Sequence, residues 1–169
     1  MLQKIIFSVL FSSFLYAHPH TFMDVSPKII VKNNIIKNIN IKWLIDEMTS
    51  SMLIMEFDQN QNNKIDKDEN NYILKNYFSS LSKYDYYIHI SQKFKINNFN
   101  ASIIKNRIQY SFDMILNKNI NIKNFSLSFY DTDFFVSLQL KKEFITQKLP
   151  YIINDIDGDF YYGYKITYK

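Results

Sequence analysis

The chain has 169 residues, a formal charge of +4, 47% hydrophobic and 17% aromatic residues, and no cysteine. That length suits one packed domain, and the basic excess is scattered among asparagines and isoleucines with no run of the kind nucleic-acid partners require. The missing cysteine excludes disulfides and thiol chemistry, so any soft metal must be held by nitrogen, oxygen or methionine sulfur.

Residues 1–17 read as a secretory leader: Lys4 gives the positive start, Ile5 to Tyr16 the apolar core, and Leu15-Tyr16-Ala17 a small-residue cleavage site. The leader is short for a membrane span, and no later segment is apolar for long enough to cross a bilayer. The expected mature chain is therefore a single periplasmic domain, 18–169, that begins on His18 and does not span the membrane.

Thr21 to Lys32 predicts a strand. Asn33-Asn34 tolerates positive φ, and Ile35 to Trp43 returns with Ile39, Ile41 and Trp43 alternating against polar neighbours, so a hairpin with one buried face is expected. From Ile45 to Phe57 the period changes to that of a helix, with Ile45, Met48, Met52 and Met55 on the expected core face. Acidic Asp46-Glu47 at its start suits the helix dipole. A second helix is expected over 67–81 with Ile73, Tyr77 and Leu81 inward. Strands follow over 84–91, 103–116, 122–130, 134–140, 151–153 and 161–168. Asp131 and Asp133 bracket one turn, and Asp155, Asp157 and Asp159 surround Gly158 in another. The fold class expected is α+β: mostly antiparallel sheets carrying an inserted EF-hand-like helix pair at about 45–81.

The segment Asp58-Gln59-Asn60-Gln61-Asn62-Asn63-Lys64-Ile65-Asp66-Lys67-Asp68-Glu69 follows the EF-hand template. Asp58, Asn60 and Asn62 take ligand positions one, three and five. Lys64 would offer its carbonyl, Asp66 a ligand directly or through water, and Glu69 a bidentate carboxylate. Asn63 replaces the usual glycine where φ is positive, and asparagine is the best substitute. An Asx-rich turn can join two helices with no ion, but the intact ligand set favours calcium, held weakly by two neutral asparagines as a structural clip. The methionines could form a sensor groove or a copper(I) site; stripes at helical spacing are usually core.

Cleavage after Ala17 would place the α-amine and imidazole of His18 beside the imidazole of His20, a concentrated transition-metal site. Pro19 removes the amide that a square-planar copper or nickel site would deprotonate. In an extended chain the two imidazoles lie about 7 Å apart on one side, whereas Asp24 stands about 13 Å from His20. His89 could close the site from across the fold, although an ordinary strand histidine with one hydrogen bond is the simpler expectation. No serine, histidine and acid grouping suggests hydrolysis, and two glycines in the whole chain leave no phosphate loop. No catalytic residues are assigned.

Four segments in order, His18 to Asp24, Trp43 to Ser50, Phe57 to Glu69 and Tyr130 to Val136, resemble the bacterial domain of unknown function 1007 family, described as the periplasmic component of an ABC-type transport system. Members are commonly paired with nickel/cobalt-type permeases, and some are linked to zinc uptake. The resemblance implies a role in metal supply, with His18 and His20 as ligands and Asp24 matching a recurrent acid; the loop departs from the family's Asn-Gly-Asp-Gly core at Gln61 and Asn63. The function expected is a non-enzymatic accessory protein that captures zinc, nickel or cobalt and passes it to an inner-membrane permease, with calcium in the helical loop. A calcium-dependent binding module is one alternative. A copper-brace oxidative enzyme is the other, and would need His89 to approach His18.

Overall fold

The computed structural model describes residues 20–133, 135–145, 150–159 and 161–169; the leader, the cleavage site, His18 and Pro19 lie outside them. Among the described residues, nine strands form two sheets. β1 (Thr21–Lys32), β2 (Ile35–Ile45), β4 (Phe94–Ile104), β5 (Arg107–Asn121) and β7 (Val136–Gln139) make one, in the order β4-β5-β2-β1-β7. β3 (Ile88–Ile90), β6 (Ser126–Tyr130), β8 (Tyr151–Asp157) and β9 (Tyr162–Tyr168) make the other, in the order β3-β6-β9-β8. All pairings are antiparallel except β1 with β7. The class is α+β, and no helix among the described residues is long and apolar enough to cross a membrane.

The first hairpin forms as its sequence dictates. Asn33 and Asn34 take φ of 52° and 60°, and Met23, Val25, Ile29, Ile39, Ile41 and Trp43 turn inward from the paired strands. Trp43 is fully buried, with Phe112 edge-on at 4.9 Å and Phe78 and Tyr87 tilted at 6.0 and 6.2 Å. One apolar core draws on both sheets.

The helices cover the inward face of β4 and β5. α1 (Glu47–Phe57) is fixed by Ser50, whose buried hydroxyl donates to the Ile45 carbonyl and accepts from the Ile108 amide at 2.9 Å. α2 (Lys67–Asn76) is tied to β4 by the Asn70 side-chain oxygen, which accepts from the Ala101 amide at 2.7 Å.

That Ser50 anchor corrects the expected helix phase. Ile45 closes β2 rather than opening the helix, and Ser50, Leu53, Ile54 and Phe57 face inward, which leaves Met48, Met52 and Met55 exposed rather than in the core. The second helix ends at Asn76, short of Leu81, and continues as irregular 3-10 turns over Phe78–Tyr87. The strand expected over 84–91 keeps only Ile88–Ile90, because Asp85, Tyr86 and Tyr87 all adopt positive φ. The strand expected over 103–116 is a hairpin, turned at Lys105 and Asn106 with φ of 50° and 60°. Its first arm, β4, has no clean alternation because a bulge at Asn98 interrupts it. Residues 122–124 form a 3-10 turn before β6.

Gly163 lies opposite Tyr130, where an added Cβ would fall against the Phe129 carbonyl oxygen and the Tyr130 Cβ. Gly163→Ala is expected to cost about 1–3 kcal/mol by overpacking, read as a lowered midpoint in urea unfolding; an unchanged midpoint would show that the β6–β9 spacing is looser than described.

Candidate functional site

The start of β1 is held from three sides. Thr21 to Asp24 pair in parallel with Val136 to Gln139 of β7, and Met23 pairs with Ile45 of β2. Beyond the ladder, the Asp46 amide donates to the Phe22 carbonyl at 2.9 Å, and the Asp46 carboxylate accepts from the Phe22 amide at 2.9 Å. The same carboxylate caps α1 by accepting from the Thr49 amide and hydroxyl, each at 2.8 Å.

His20 is the first described residue. Its amide donates to the Phe135 carbonyl at 2.9 Å, and its ring stacks on that of Phe135 with centroids 6.4 Å apart. Phe135 is positioned in turn by Asp131. This buried carboxylate accepts from the amides of Asp133, Phe135 and Val136 at 3.0, 3.0 and 2.9 Å, which closes the turn from β6 into β7.

The same turn meets His89 at its other end. The His89 ring stacks on Tyr130 at 3.6 Å, and its Nε2 donates to the Tyr130 carbonyl at 3.1 Å. A carbonyl only accepts, so a neutral His89 carries its proton on Nε2 and keeps a lone pair on Nδ1. Beside it lies a cleft of about 340 Å³, lined by Tyr84, Tyr87, His89, Tyr130, Asp131 and Asp133. Burial, and after it neighbouring Asp131, Tyr84 and Asp133, push the Tyr87 hydroxyl up to about 12, so it stays protonated at neutral pH.

Asp24 points elsewhere. Its carboxylate pairs with Arg107 Nη2 at 3.1 Å, while Arg107 also donates to the carbonyls of Leu44 and Ile45. Asp24 is thus bound across β2 to β5, a partnership that links residues far apart in the chain and has no local signal. Among the described residues, no group of three or more histidine, aspartate or glutamate side chains is placed to hold a metal ion; His18 lies outside the residues searched.

The loop between the helices is organised by its own side chains. Asp58 and Glu69 are buried, at 5% and 7% exposed. Asp58 accepts from the Asn62 and Asn63 amides at 3.0 and 2.8 Å, Asn60 from Asn62 at 3.1 Å, and Asn62 from Lys64 at 2.9 Å. Glu69 accepts from the Gln59 and Asp66 amides at 2.9 and 2.8 Å, so it closes both ends of the loop. Asp66 receives the amide groups of Asn60 and Asn62 at 2.6 and 3.3 Å. Asn63 takes φ of 60°, as its place in the sequence requires.

Residues 4–150 match the family described as "Protein of unknown function (DUF1007)". An uncharacterized protein of Haemophilus influenzae is 29% identical over 143 residues, covering 76% of this chain and 66% of that protein. An uncharacterized protein of Spirochaeta aurantia is 30% identical over 97 residues, covering 53% of this chain and 69% of its own length. The chain thus spans about two thirds of the length of these relatives.

Burial raises the Asp46 pKa, but hydrogen bonds from Thr49, Phe22 and Met48 outweigh it and hold the carboxyl below its ordinary 3.8. A lowered folded-state value contributes stability that is present above about pH 4 and lost as pH falls through the lowered value. Asp46→Ala is expected to cost about 1 kcal/mol at neutral pH. In urea unfolding, the gap to wild type should stay level from neutral down to about pH 5 and narrow below about pH 4; a gap that widens in acid would contradict the assignment.

Proposed function

The chain belongs to this family of proteins of unknown function, and from that premise we propose that it is an exported accessory protein that captures zinc, nickel or cobalt at its amino terminus and passes it to an inner-membrane permease. The observation that carries the reading is the anchorage of His20. Its backbone is bonded to Phe135 and its ring lies on that residue, in a turn organised by a buried aspartate. A histidine supported in this way loses less conformational freedom on binding an ion than one on a free tail would.

His18 would bind through its amine and imidazole, and His20 through its imidazole. His89, which meets the same turn at Tyr130 through its Nε2, is the further candidate donor. Asp24 supports the site through the Arg107 pair rather than as a ligand. The cargo ion is released intact, so no redox step or bond cleavage is required of the protein.

The helical loop is the second element. Its donor set of two buried carboxylates and two asparagine oxygens suits a hard cation, and its hydrogen bonds run from positions one, three and five of the EF-hand template, as that loop type requires. Asp58, Asn60, Asn62, Asp66 and Glu69, with the Lys64 carbonyl, would hold calcium once Asp58, Asp66 and Glu69, which do not converge on one point in this structure, close around it. Each carboxylate oxygen has two lone pairs, so its bond to an amide leaves one for a metal. Calcium there would brace α1 against α2.

Two measurements test this reading. Replacement of both His18 and His20 by alanine should weaken zinc or nickel binding in calorimetric titration by roughly a hundredfold or more; unchanged affinity would overturn the capture site. Glu69→Gln should abolish the calcium-dependent rise in melting temperature that wild type shows, since mass action stabilises only a protein that binds. A wild-type melting temperature indifferent to millimolar calcium would remove the brace.

A further inference from the structure

Helix α1 has two apolar faces. Leu53, Ile54 and Phe57 turn inward with the Ser50 anchor. On the opposite side Met48, Met52 and Met55 are 69%, 55% and 78% exposed, while Met23 and Met114 are buried in the core. At 3.6 residues per turn the three exposed methionines fall within an arc of roughly 60°.

Two features of that arc select its ligand. Isoleucine is the commonest apolar residue of the chain, yet the outer arc carries none; every apolar group there is a thioether. A thioether offers a sulfur lone pair that an isoleucine side chain lacks, so this arc can coordinate as well as pack. The helix also has no lysine or arginine, and Glu47 and Glu56 stand on either side of the arc, with Glu56 accepting from the Tyr77 hydroxyl. Soft donors bordered by carboxylates, with no competing ammonium group, favour a cation.

We infer that Met48, Met52 and Met55 form a surface site for a soft monovalent ion, copper(I) or silver(I). Thioethers select such ions over zinc, nickel and cobalt, which prefer nitrogen and oxygen. An ion over Met52 lies roughly 6 Å along the axis from the level of Met48 and 4.5 Å from that of Met55. Unbranched side chains with three rotatable bonds can close such offsets. Copper must arrive already reduced, since the site binds the ion and transfers no electron. The proposal does not rest on whether the amino-terminal histidines bind metal.

The test is silver(I) titration of the purified protein, followed by calorimetry and by the methionine methyl resonances. The expected result is a single bound ion that shifts the resonances of Met48, Met52 and Met55 and leaves those of Met23 and Met114 in place. The triple variant Met48→Leu, Met52→Leu, Met55→Leu keeps the apolar surface and removes only sulfur, and should lose roughly a hundredfold in affinity. The methionine shifts should be the same when zinc already saturates the histidines. No binding by wild type, equal binding by the triple leucine variant, or methionine shifts abolished by saturating zinc would each overturn the proposal. Retained circular dichroism of the triple variant ensures that its loss of binding reports on sulfur.

Discussion

The Asp46 carboxylate is the interaction on which the arrangement depends, because it joins three parts of the chain that would otherwise be set independently. It accepts from Phe22 at the beginning of β1 and from Thr49 in the first turn of α1, while its amide donates back to Phe22. The strand that carries His20 and the helix that leads into the Asp58 loop are thereby fixed to one group. The charge is stabilised by the donors it organises, which is why the carboxyl stays ionised into mild acid. With the start of the helix pinned, Ser50 settles its rotation, and that rotation decides which side chains meet solvent.

A second carboxylate does similar work in the turn between the sheets. Asp131 is buried with three amides converging on it, so the loop from β6 into β7 is held by local bonds rather than by packing. That loop presents Phe135 to His20 at one end and Tyr130 to His89 at the other. Two histidines separated by nearly half of the domain in sequence therefore share one short segment. The parallel pairing of β7 with β1 brings this about, since it carries the chain from β6 of the second sheet back to the amino-terminal strand.

What could be read in the sequence was what local physics determines. Asn33-Asn34 declared its turn, the alternation around Trp43 declared its buried face, and the spacing from Asp58 to Glu69 declared a loop between two helices with positive φ at Asn63. The failures were long-range. Met48, Met52 and Met55 have the period of a core face, and nothing local says that Ser50, by bonding to Ile108 on a distant strand, takes the inward position instead. Arg107 gives no hint of Asp24, and β4 was hidden because the bulge at Asn98 breaks its alternation. Asp46 was legible only as an acid suited to the start of a helix; that it caps Thr49 and also holds Phe22 is a property of the fold.

The donors of the chain divide by chemistry: imidazoles at the start of β1 and in β3, oxygens between the helices, thioethers on the outer face of α1. Under the proposals above, each set would serve a different class of ion. The claim on which the functional account rests is the first of these, a mature terminus at His18 with metal bound to it. Amino-terminal sequencing of the exported protein, with metal analysis of the same sample, tests it most directly. The account predicts a chain that begins with His18 and carries stoichiometric zinc, nickel or cobalt; a chain that retains residues 1–17 or begins after His20, or one that begins at His18 and stays metal-free when these ions are supplied, would contradict it.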